Sequence, residues 1–310
     1  MNKFFSVDNF KANSKVFATV GTFDGCHLGH KFLFKDLKSF ADKHNAQTLV
    51  FTFWPHPRSI LSPDFDFKLL NTMEEKIELF DDCGIDNLVI EKFNQDFSRI
   101  SPLHFIRDIL INKLKIEGLI IGYNHHFGRN REGSYEDLKD YAETYDFNLC
   151  RSKAFKHKEE SVSSTKIRNM ISNGNVFEAN KLLGYNYFFS GLVVRGDGIG
   201  RRLKYPTANI LVKDEIKLIP ENGVYAVKVI FNENEYLGMM NIGYRPTLNL
   251  KDFSIEVNLF DFKGDLYGQK VRVFVISKIR EEVKFESLDI LKKQISNDKI
   301  QIVNFFKNHK

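Results

Sequence analysis

Cysteine is scarce in this 310-residue sequence, and its three cysteines lie far apart. Cys26, Cys83 and Cys150 do not have the Cys-x-x-Cys spacing of a zinc site. They also do not form the even, dense set of cysteines that holds a small secreted domain together. We therefore expect a fold that needs no disulfides, reduced thiols and a cytoplasmic location.

Long apolar runs are absent as well. No stretch approaches the roughly 20 apolar residues that a membrane span requires. The first residues, Met1 to Phe10, carry charges at Lys3 and Asp8 and do not resemble a signal peptide. We expect a soluble protein without a membrane partner or a targeting segment.

The charge of the chain has no strong sign. The 45 Lys and Arg residues and 40 Asp and Glu residues leave a formal net charge of +5, and no basic block is present. A nucleic-acid partner is therefore not indicated. The small positive bias fits a ligand that carries phosphates, although a net charge of this size is also ordinary for a chain of this length.

The apolar pattern of the first part of the chain alternates between strand and helix. This alternation predicts a parallel sheet with helical crossovers, that is, a doubly wound, Rossmann-like α/β domain. The predicted strands are 16–21, 48–53, 87–91, 118–122 and 147–150. One predicted helix begins near Leu28, and the others cover 73–83, 102–114, 135–145, 165–171 (with Ser164 as N-cap) and 176–183.

From Gly184 onward the period changes to the alternation of strands. Four predicted strands separated by Gly, Asn and Asp turns are most simply closed as a small antiparallel β-barrel. A C-terminal helix over 287–306 follows, with Leu288, Leu291, Ile295 and Ile302 on one face. The predicted strands are 190–195, 224–231, 255–260 and 271–276. We expect two domains, residues 1–183 and 184–310.

The sequence Gly-Thr-Phe-Asp-Gly-Cys-His-Leu-Gly-His, here named the HxGH loop, occupies residues 21–30 between a predicted strand and its helix. Ligands of open α/β sheets bind at such turns. Gly21 and Gly25 allow a tight turn, and the free amides of a helix start attract phosphate. His27 and His30 can donate hydrogen bonds to phosphate oxygens from one face. Two histidines can also ligate zinc, but no third ligand is obvious, and phosphate is favoured.

These residues resemble the nucleotidyltransferase superfamily marked by His-x-Gly-His, and the longer string is similar to its FAD synthetase branch. Three further segments resemble that branch in the same order. They are Phe51 to Pro57 (its Phe-x-Pro-His-Pro turn), Gly122 to Arg129 (its Gly-x-(Asp/Asn)-Phe-x-Phe-Gly motif) and Ser163 to Arg168 (its Ser-Ser-Thr-x-Ile-Arg motif). His125 departs from the pattern, because the branch prefers an aromatic residue there.

The resemblance implies an enzyme that adenylylates FMN, with His27 and His30 as catalytic residues. In this superfamily the two histidines stabilise charge on the transferring phosphates without a covalent intermediate. The implied ATP-binding residues are Gly21, Phe23, Asp24, Gly25, His27, His30, Ser164, Thr165 and Arg168, and the implied flavin-binding residues are His56, Pro57 and Asn124.

A second group of motifs lies beyond Gly184. Residues 196–200 are Gly-Asp-Gly-Ile-Gly, and residues 205–209 are Tyr-Pro-Thr-Ala-Asn. A glycine-rich loop can wrap phosphates with its amides, and Thr207 with Asn209 can offer oxygen ligands to Mg²⁺. Glu256 alternates with apolar neighbours and therefore points to the opposite face of its strand. A plain hairpin turn and a solvent-facing glutamate are the alternatives when each feature is taken alone.

Together these segments resemble the riboflavin kinase family, and the similarity extends through 222–225, 241–247, 255–257, 265–268 and 280–285. Lys204 departs from it, because a glycine usually stands there. The resemblance implies that Glu256 is the general base for a riboflavin hydroxyl. It also implies ATP contacts from Gly196, Gly198, Gly200, Thr207 and Asn209, Mg²⁺ bound by Thr207 and Asn209, and flavin contacts from Arg280 and Phe285.

Both resemblances together imply a bifunctional enzyme of flavin cofactor synthesis. Such an enzyme uses ATP to phosphorylate riboflavin to FMN and then adenylylates FMN to FAD, with release of pyrophosphate and with Mg²⁺ in both steps. Two alternatives stay open: His125 or Lys204 marks a domain that has lost its activity, or the chain senses flavins or nucleotides without turnover. His27, His30, Asn209 and Glu256 favour catalysis, because sensing does not require them.

Overall fold

The structure is a computed structural model that describes residues 1–62, 67–123, 128, 133–157, 160–196, 200, 205–246 and 251–309. The chain divides into two compact units. The first contains Met1–Phe67 and Asn71–Ser164, and the second contains Lys68–Leu70 and Thr165–Lys310. The division of the two activities at residues 183 and 184 stays a prediction, because compactness does not assign an activity.

A six-stranded sheet forms the centre of the first unit. Its strands are β1 (Asn2–Phe4), β2 (Val16–Val20), β3 (Gln47–Trp54), β4 (Asn87–Lys92), β5 (Gly118–Ile121) and β6 (Asn148–Arg151). They lie in the order β1-β4-β3-β2-β5-β6, and all neighbouring pairs are parallel. All five residues of β2 are buried, as expected for a central parallel strand covered on both faces. The predicted doubly wound α/β domain is confirmed.

Helices lie between the successive parallel strands from β2 to β6, as crossovers within a parallel sheet require. They are α1 (Leu28–Lys43), α2 (Pro57–Leu61), α3 (Met73–Asp82), α4 (Gln95–Ser98), α5 (Pro102–His104) with a π-helical continuation (Phe105–Lys113), and α6 (Tyr135–Tyr145). A short hairpin follows, with strands β7 (Lys156–His157) and β8 (Glu160–Ser161). The sequence order of the sheet reverses between β2 and β5, and this switch point is where open α/β sheets bind ligands.

The second unit contains the predicted antiparallel barrel, which is confirmed. Helices α7 (Ser164–Ser172) and α8 (Val176–Leu183) precede it, and α9 (Leu288–Asn308) follows it. The barrel strands are β9 (Phe188–Val194), β10 (Ala208–Leu211), β11 (Gly223–Phe231), β12 (Asn234–Pro246), β13 (Lys251–Leu259) and β14 (Lys270–Arg280). They close in the order β10-β13-β12-β11-β14-β9.

Some local expectations were wrong. Strands β1, β10 and β12 were not predicted, because none of them shows a clear alternation of apolar and polar residues. Leu288 is 64% exposed instead of facing inward, because the contacts of α9 with the barrel begin further along the helix, at Ile295 and Ile302. In the part of the chain that the structure describes, no helix combines the length and apolarity that a membrane crossing needs.

Candidate functional site

The HxGH loop follows β2 at the switch point of the sheet and leads into α1. Gly25 has a φ of 84° and therefore lies in the left-handed region that glycine adopts without strain. Phe23 and Cys26 also have positive φ values, of 48° and 34°. The loop thus turns sharply between strand and helix, as the predicted glycines suggested.

Phe23 anchors this loop in the core of the first unit. Its side chain is 4% exposed and lies edge-on to Phe34 and Phe80, with ring centroids 5.1 and 6.1 Å away. A Cβ at Gly21 would lie 2.8 Å from the Phe23 ring, so only glycine fits there without a shift. Phe23 was predicted to contact ATP. Because its side chain is buried, its main-chain atoms are the part of the residue that can make this contact.

His27 and His30 lie together at the start of α1, as predicted. Their rings stack with centroids 3.6 Å apart and an interplanar angle of 18°. His27 is the N-cap of the helix, and its Nδ1 accepts a hydrogen bond of 3.3 Å from the His30 amide. A neutral His27 ring therefore carries its proton on Nε2. Gly29 lets the His27 ring lie close, since a Cβ there would be 3.2 Å from it.

Burial disfavours the charged form of both histidines. Burial lowers the pKa of His27 to about 4. Burial also holds the pKa of His30 well below its ordinary value, with smaller contributions from His27 and Lys76. His30 Nδ1 is buried and has no hydrogen-bond partner among the described residues. The pair offers polar ring nitrogens, and a bound anion would favour their protonation.

Asp24 of the HxGH loop and Ser164, both in the first unit, are joined by a hydrogen bond. Asp24 is 3% exposed, and its Oδ1 accepts from the Asn71 amide at 3.3 Å. The Ser164 hydroxyl donates to the main-chain oxygen of Asp24 at 2.8 Å. Ser164 was expected to be the N-cap of α7, but it is the first residue of that helix and its hydroxyl binds the loop. Thr165 and Arg168 lie on α7, and their predicted phosphate contacts stay predictions.

Lys76 on α3 is a residue of this region that the sequence analysis missed. Its residue surface is 4% exposed, and its ammonium donates to Thr22 O at 3.0 Å and to Thr52 Oγ1 at 3.3 Å. Burial lowers the pKa of Lys76 to about 8, while Asp24 and Cys26 act in the opposite direction. Lys76 therefore ties the HxGH loop to β3, the strand that leads to the Pro-His-Pro turn. Its spacing with the buried Leu79 and Phe80 is the signal that could have indicated burial.

His56 and Pro57 begin α2, after a cis peptide bond between Trp54 and Pro55. His56 is 8% exposed, and its Nδ1 accepts from the Arg58 amide at 3.1 Å. Its ring lies 4.8 Å from that of Phe67. The predicted rigid turn is present, and the flavin contact stays a prediction. Asn124 and His125 lie outside the described residues.

A second cluster of predicted residues lies in the barrel. Thr207 Oγ1 donates to Glu256 Oε2 at 3.2 Å. Asn209 on β10 is paired in register with Glu256 on β13. The structure therefore brings together the three side chains predicted for metal binding and proton transfer. Their hydroxyl, amide and carboxylate oxygens are of the hard type that Mg²⁺ prefers.

Two glycines of the predicted phosphate loop lie against this cluster. A Cβ at Gly196 would collide with the side-chain amide of Asn209, and a Cβ at Gly200 would collide with Tyr205 O and lie 3.0 Å from Thr207 Oγ1. Glycine is therefore required at positions 196 and 200, which lie close to the metal-ligand candidates Asn209 and Thr207. Gly198 and Lys204 lie outside the described residues.

Asn258 is a further residue that the sequence analysis missed. It is 5% exposed, and its Nδ2 donates to Pro206 O at 2.7 Å. Because it lies two positions after Glu256 on β13, it occupies the same face of that strand. Asn258 thus fixes the Pro-Thr-Ala-Asn segment beside Glu256. A polar residue at every second position of this strand was the available signal.

Arg280 is held by a buried carboxylate on α9. Asp298 is 1% exposed and accepts from Arg280 Nε at 3.0 Å and from Nη2 at 2.8 Å. The guanidinium also lies 5.7 Å from the ring centroid of Phe285. Arg280 and Phe285 are therefore neighbours, as their shared predicted role requires, and Asp298 orients the arginine. Their flavin contacts stay predictions.

Family models divide the chain between two enzymes. Residues 9–166 match the model described as FAD synthetase. Residues 183–306 match the model described as riboflavin kinase. The first match contains the HxGH loop, and the second contains the cluster around Glu256.

Curated relatives match almost the whole chain. A protein of Buchnera aphidicola subsp. Acyrthosiphon pisum is 38% identical over 301 residues, which are 96% of each chain. A protein of Escherichia coli K12 is 35% identical over 93% of this chain and 92% of its own. A protein of Bacillus subtilis is 35% identical over 95% of this chain and 94% of its own. All three are named bifunctional riboflavin kinase/FMN adenylyltransferase.

A solved structure has the same fold over the same length. It is a crystal structure from Streptococcus pneumoniae that carries the name macrolide-efflux protein. It is 30% identical, with a TM-score of 0.90, and the match covers 97% of this chain and 98% of that one. The name belongs to that protein, and the agreement supports the fold described above.

Proposed function

Because this chain belongs to the bifunctional riboflavin kinase/FMN adenylyltransferase family, we propose that residues 1–183 carry the adenylyltransferase activity and residues 184–310 the kinase activity. The chain is an ATP-using enzyme of flavin cofactor synthesis. It phosphorylates riboflavin to FMN and adenylylates FMN to FAD, with release of pyrophosphate. Its substrates are the small molecules riboflavin, FMN and ATP.

In the adenylyltransferase reaction, an FMN phosphate oxygen attacks the α-phosphorus of ATP, and the bond to the pyrophosphate oxygen breaks. His27 and His30 stabilise the charge that builds up on these phosphates. Their stacked arrangement, with His27 buried and His30 half-buried, supports this role, because both rings are held in place before the substrates bind. The HxGH loop residues Gly21, Phe23, Asp24 and Gly25, together with Ser164, Thr165 and Arg168, bind ATP, while His56, Pro57 and Asn124 bind the flavin.

In the kinase reaction, Glu256 accepts the proton of a riboflavin hydroxyl as that oxygen attacks the γ-phosphorus of ATP. Gly196, Gly198 and Gly200 wrap the phosphates, and Arg280 with Phe285 contacts the flavin. Thr207 and Asn209 would hold Mg²⁺ in this site, where the ion would neutralise phosphate charge; the adenylyltransferase step would need Mg²⁺ of its own. The hydrogen bond of 3.2 Å between Thr207 and Glu256 carries this assignment, because it joins the metal ligand to the base.

We also place the enzyme in the cytoplasm, without a nucleic-acid or membrane partner. The three cysteines are free thiols, which fits a reducing compartment.

Supplying riboflavin with Mg-ATP and separating the products by chromatography tests both activities at once. We expect FMN to form first and FAD to follow. FMN that accumulates without FAD would contradict the adenylyltransferase assignment. A chain that converts added FMN to FAD but leaves riboflavin unchanged would contradict the kinase assignment.

We expect Lys76 to position the HxGH loop. A Lys76→Met variant keeps the apolar stem but loses the hydrogen bonds to Thr22 and Thr52, and a small displacement of the histidines is costly to a transfer reaction. FAD formation from FMN should fall roughly tenfold to a hundredfold, while FMN formation is unchanged. Lys92→Met, which removes an exposed lysine from the same unit, is the matched control.

The pH profile separates positioning from mere packing. The Lys76 ammonium loses its proton and its charge as the pH rises through its pKa of about 8. The titratable groups around it are Asp24, Cys26 and His30. FAD formation by the unmodified enzyme should therefore decrease above about pH 8, and this decrease should be absent from Lys76→Met. Identical profiles would show that Lys76 has only a packing role.

A further inference from the structure

Two cysteines from distant parts of the sequence lie in contact beside the HxGH loop. The sulfur atoms of Cys26 and Cys83 are 3.9 Å apart, although 57 positions separate the two residues in the sequence. Cys26 immediately precedes His27, and Cys83 is the C-cap of α3. The pair therefore connects the backbone of the candidate catalytic loop to the end of a neighbouring helix.

The two thiols differ in access to solvent. Cys26 is completely buried, and its thiol also lies 3.9 Å from Leu79 O. Cys83 is half-buried between the exposed Asp82 and Gly84. Among the described residues, apart from the two chain neighbours of Gly84, no atom lies within 4 Å of a Cβ built there, so the surface beside Cys83 is open. A reagent in solution can reach Cys83, and Cys83 can then be reached by Cys26.

The electrostatics of the pair favour the same order of events. The hydrogen bond with Cys26 lowers the pKa of Cys83, burial and Asp82 oppose this, and nearby Lys31 favours the thiolate. The same hydrogen bond and its burial raise the pKa of Cys26. Cys83 is thus the thiol that ionises first, and the thiolate is the nucleophile in disulfide exchange.

We propose that Cys26 and Cys83 are a modification site at which a disulfide oxidant reversibly forms a bond between the two sulfurs and thereby slows FAD formation. This inference rests on the proposed role of the HxGH loop in FMN adenylylation. The structure shows the reduced form, in which the sulfurs touch without a bond.

The chemistry balances with a small disulfide such as oxidised glutathione as the electron acceptor. The Cys83 thiolate attacks one sulfur of the oxidant, a mixed disulfide forms, and one glutathione thiolate leaves. Cys26 attacks the Cys83 sulfur, and its proton passes to the departing sulfur of the second glutathione, which leaves as a thiol. The protein loses two electrons and two protons in total, and the oxidant is reduced to two thiols.

Bond formation requires movement of the two sulfurs and ties the HxGH loop covalently to the end of α3. A disulfide has a sulfur–sulfur distance of about 2.05 Å, so the sulfurs must approach each other by about 2 Å from their present 3.9 Å. Because Cys26 is directly bonded to His27, any backbone shift of Cys26 that the bond imposes displaces the catalytic ring. A displacement of about 1 Å at a reacting group can cost a factor of about a hundred in rate.

The experiment uses the full chain, first reduced with a dithiol and then treated with oxidised glutathione. We expect mass spectrometry without reductant to find a peptide pair linked through Cys26 and Cys83. FAD formation from FMN should fall about tenfold or more, FMN formation from riboflavin should persist, and the dithiol should restore FAD formation. Cys83→Ser should keep FAD formation after oxidation, whereas Cys150→Ser, the matched control, should lose it like the unmodified chain.

Cys26→Ala distinguishes the disulfide from simple capping of Cys83. This variant can form the mixed disulfide but not the internal bond, so we expect it to keep FAD formation. If it is inactivated like the unmodified chain, or if the linked peptide never forms, the inference is wrong. An oxidised chain that contains the bond and still makes FAD as fast as the reduced chain also overturns the inference. A reduced chain that makes no FAD rejects the proposed function itself, and that result is seen before any oxidant is added.

Discussion

Replacing both His27 and His30 by alanine should reduce FAD formation from FMN by at least about a thousandfold and leave riboflavin phosphorylation nearly intact. Loss of a single preorganised donor at a transition state typically costs about a hundredfold to a thousandfold in kcat. The two rings are stacked 3.6 Å apart and act on the same phosphates in our proposal. Removing either histidine alone should therefore already cause most of the loss in rate. The loss in the double variant should be smaller than the product of the two single losses.

The variants need a control for folding, because His27 also caps α1. Loss of an N-cap costs about 1 kcal/mol, which a domain of this size is expected to tolerate. Kinase activity in the same chain and an unchanged circular dichroism spectrum report on folding. His27→Asn retains a capping side chain, and His104→Ala removes an exposed histidine of the same unit. Equal loss of both activities in the double variant, or full FAD formation by His27→Asn, would contradict the assignment.

The sequence alone predicted both architectures because the signals involved are local. The central strands β2 and β3 are nearly continuous apolar runs, and such runs between helical segments indicate a parallel sheet. Glycine at positions 25, 196 and 200 is required by backbone conformation or close approach, which leaves a recognisable pattern in the sequence. The ordering of motifs then led to the correct family.

The contacts that organise the sites were not predictable, because they join distant parts of the chain. Lys76 has the residue type of a solvated helix face, and its hydrogen-bond partners Thr22 and Thr52 lie 54 and 24 positions away in the sequence. Asp298 becomes the partner of Arg280 only when α9 packs on the barrel. The segment Lys68–Leu70 likewise belongs to the second unit, where Leu69 forms backbone hydrogen bonds with Ile216 and Leu218. No periodicity within one element can indicate such pairings.

We expect Glu256→Gln to reduce riboflavin phosphorylation by about a hundredfold to ten-thousandfold, the range of a lost general base. Glutamine keeps an oxygen that can accept the hydrogen bond from Thr207, so the segment that bears Thr207 and Asn209 should remain in place. The carboxamide cannot take up the proton of the attacking hydroxyl. The measured change should therefore lie in kcat, with the KM for ATP nearly unchanged.

Supplying FMN directly measures the adenylyltransferase activity of this variant without its kinase activity. The Glu256→Gln chain should convert FMN to FAD at the rate of the unmodified enzyme, since the HxGH loop lies in the other compact unit. Glu235→Gln is the matched control, because Glu235 lies in the same barrel and its ion pair with Lys228 is on the surface. A kinase rate that falls equally in both variants would show a general effect of charge on the barrel. A kinase rate that survives in Glu256→Gln would mean that a group other than Glu256 accepts the proton.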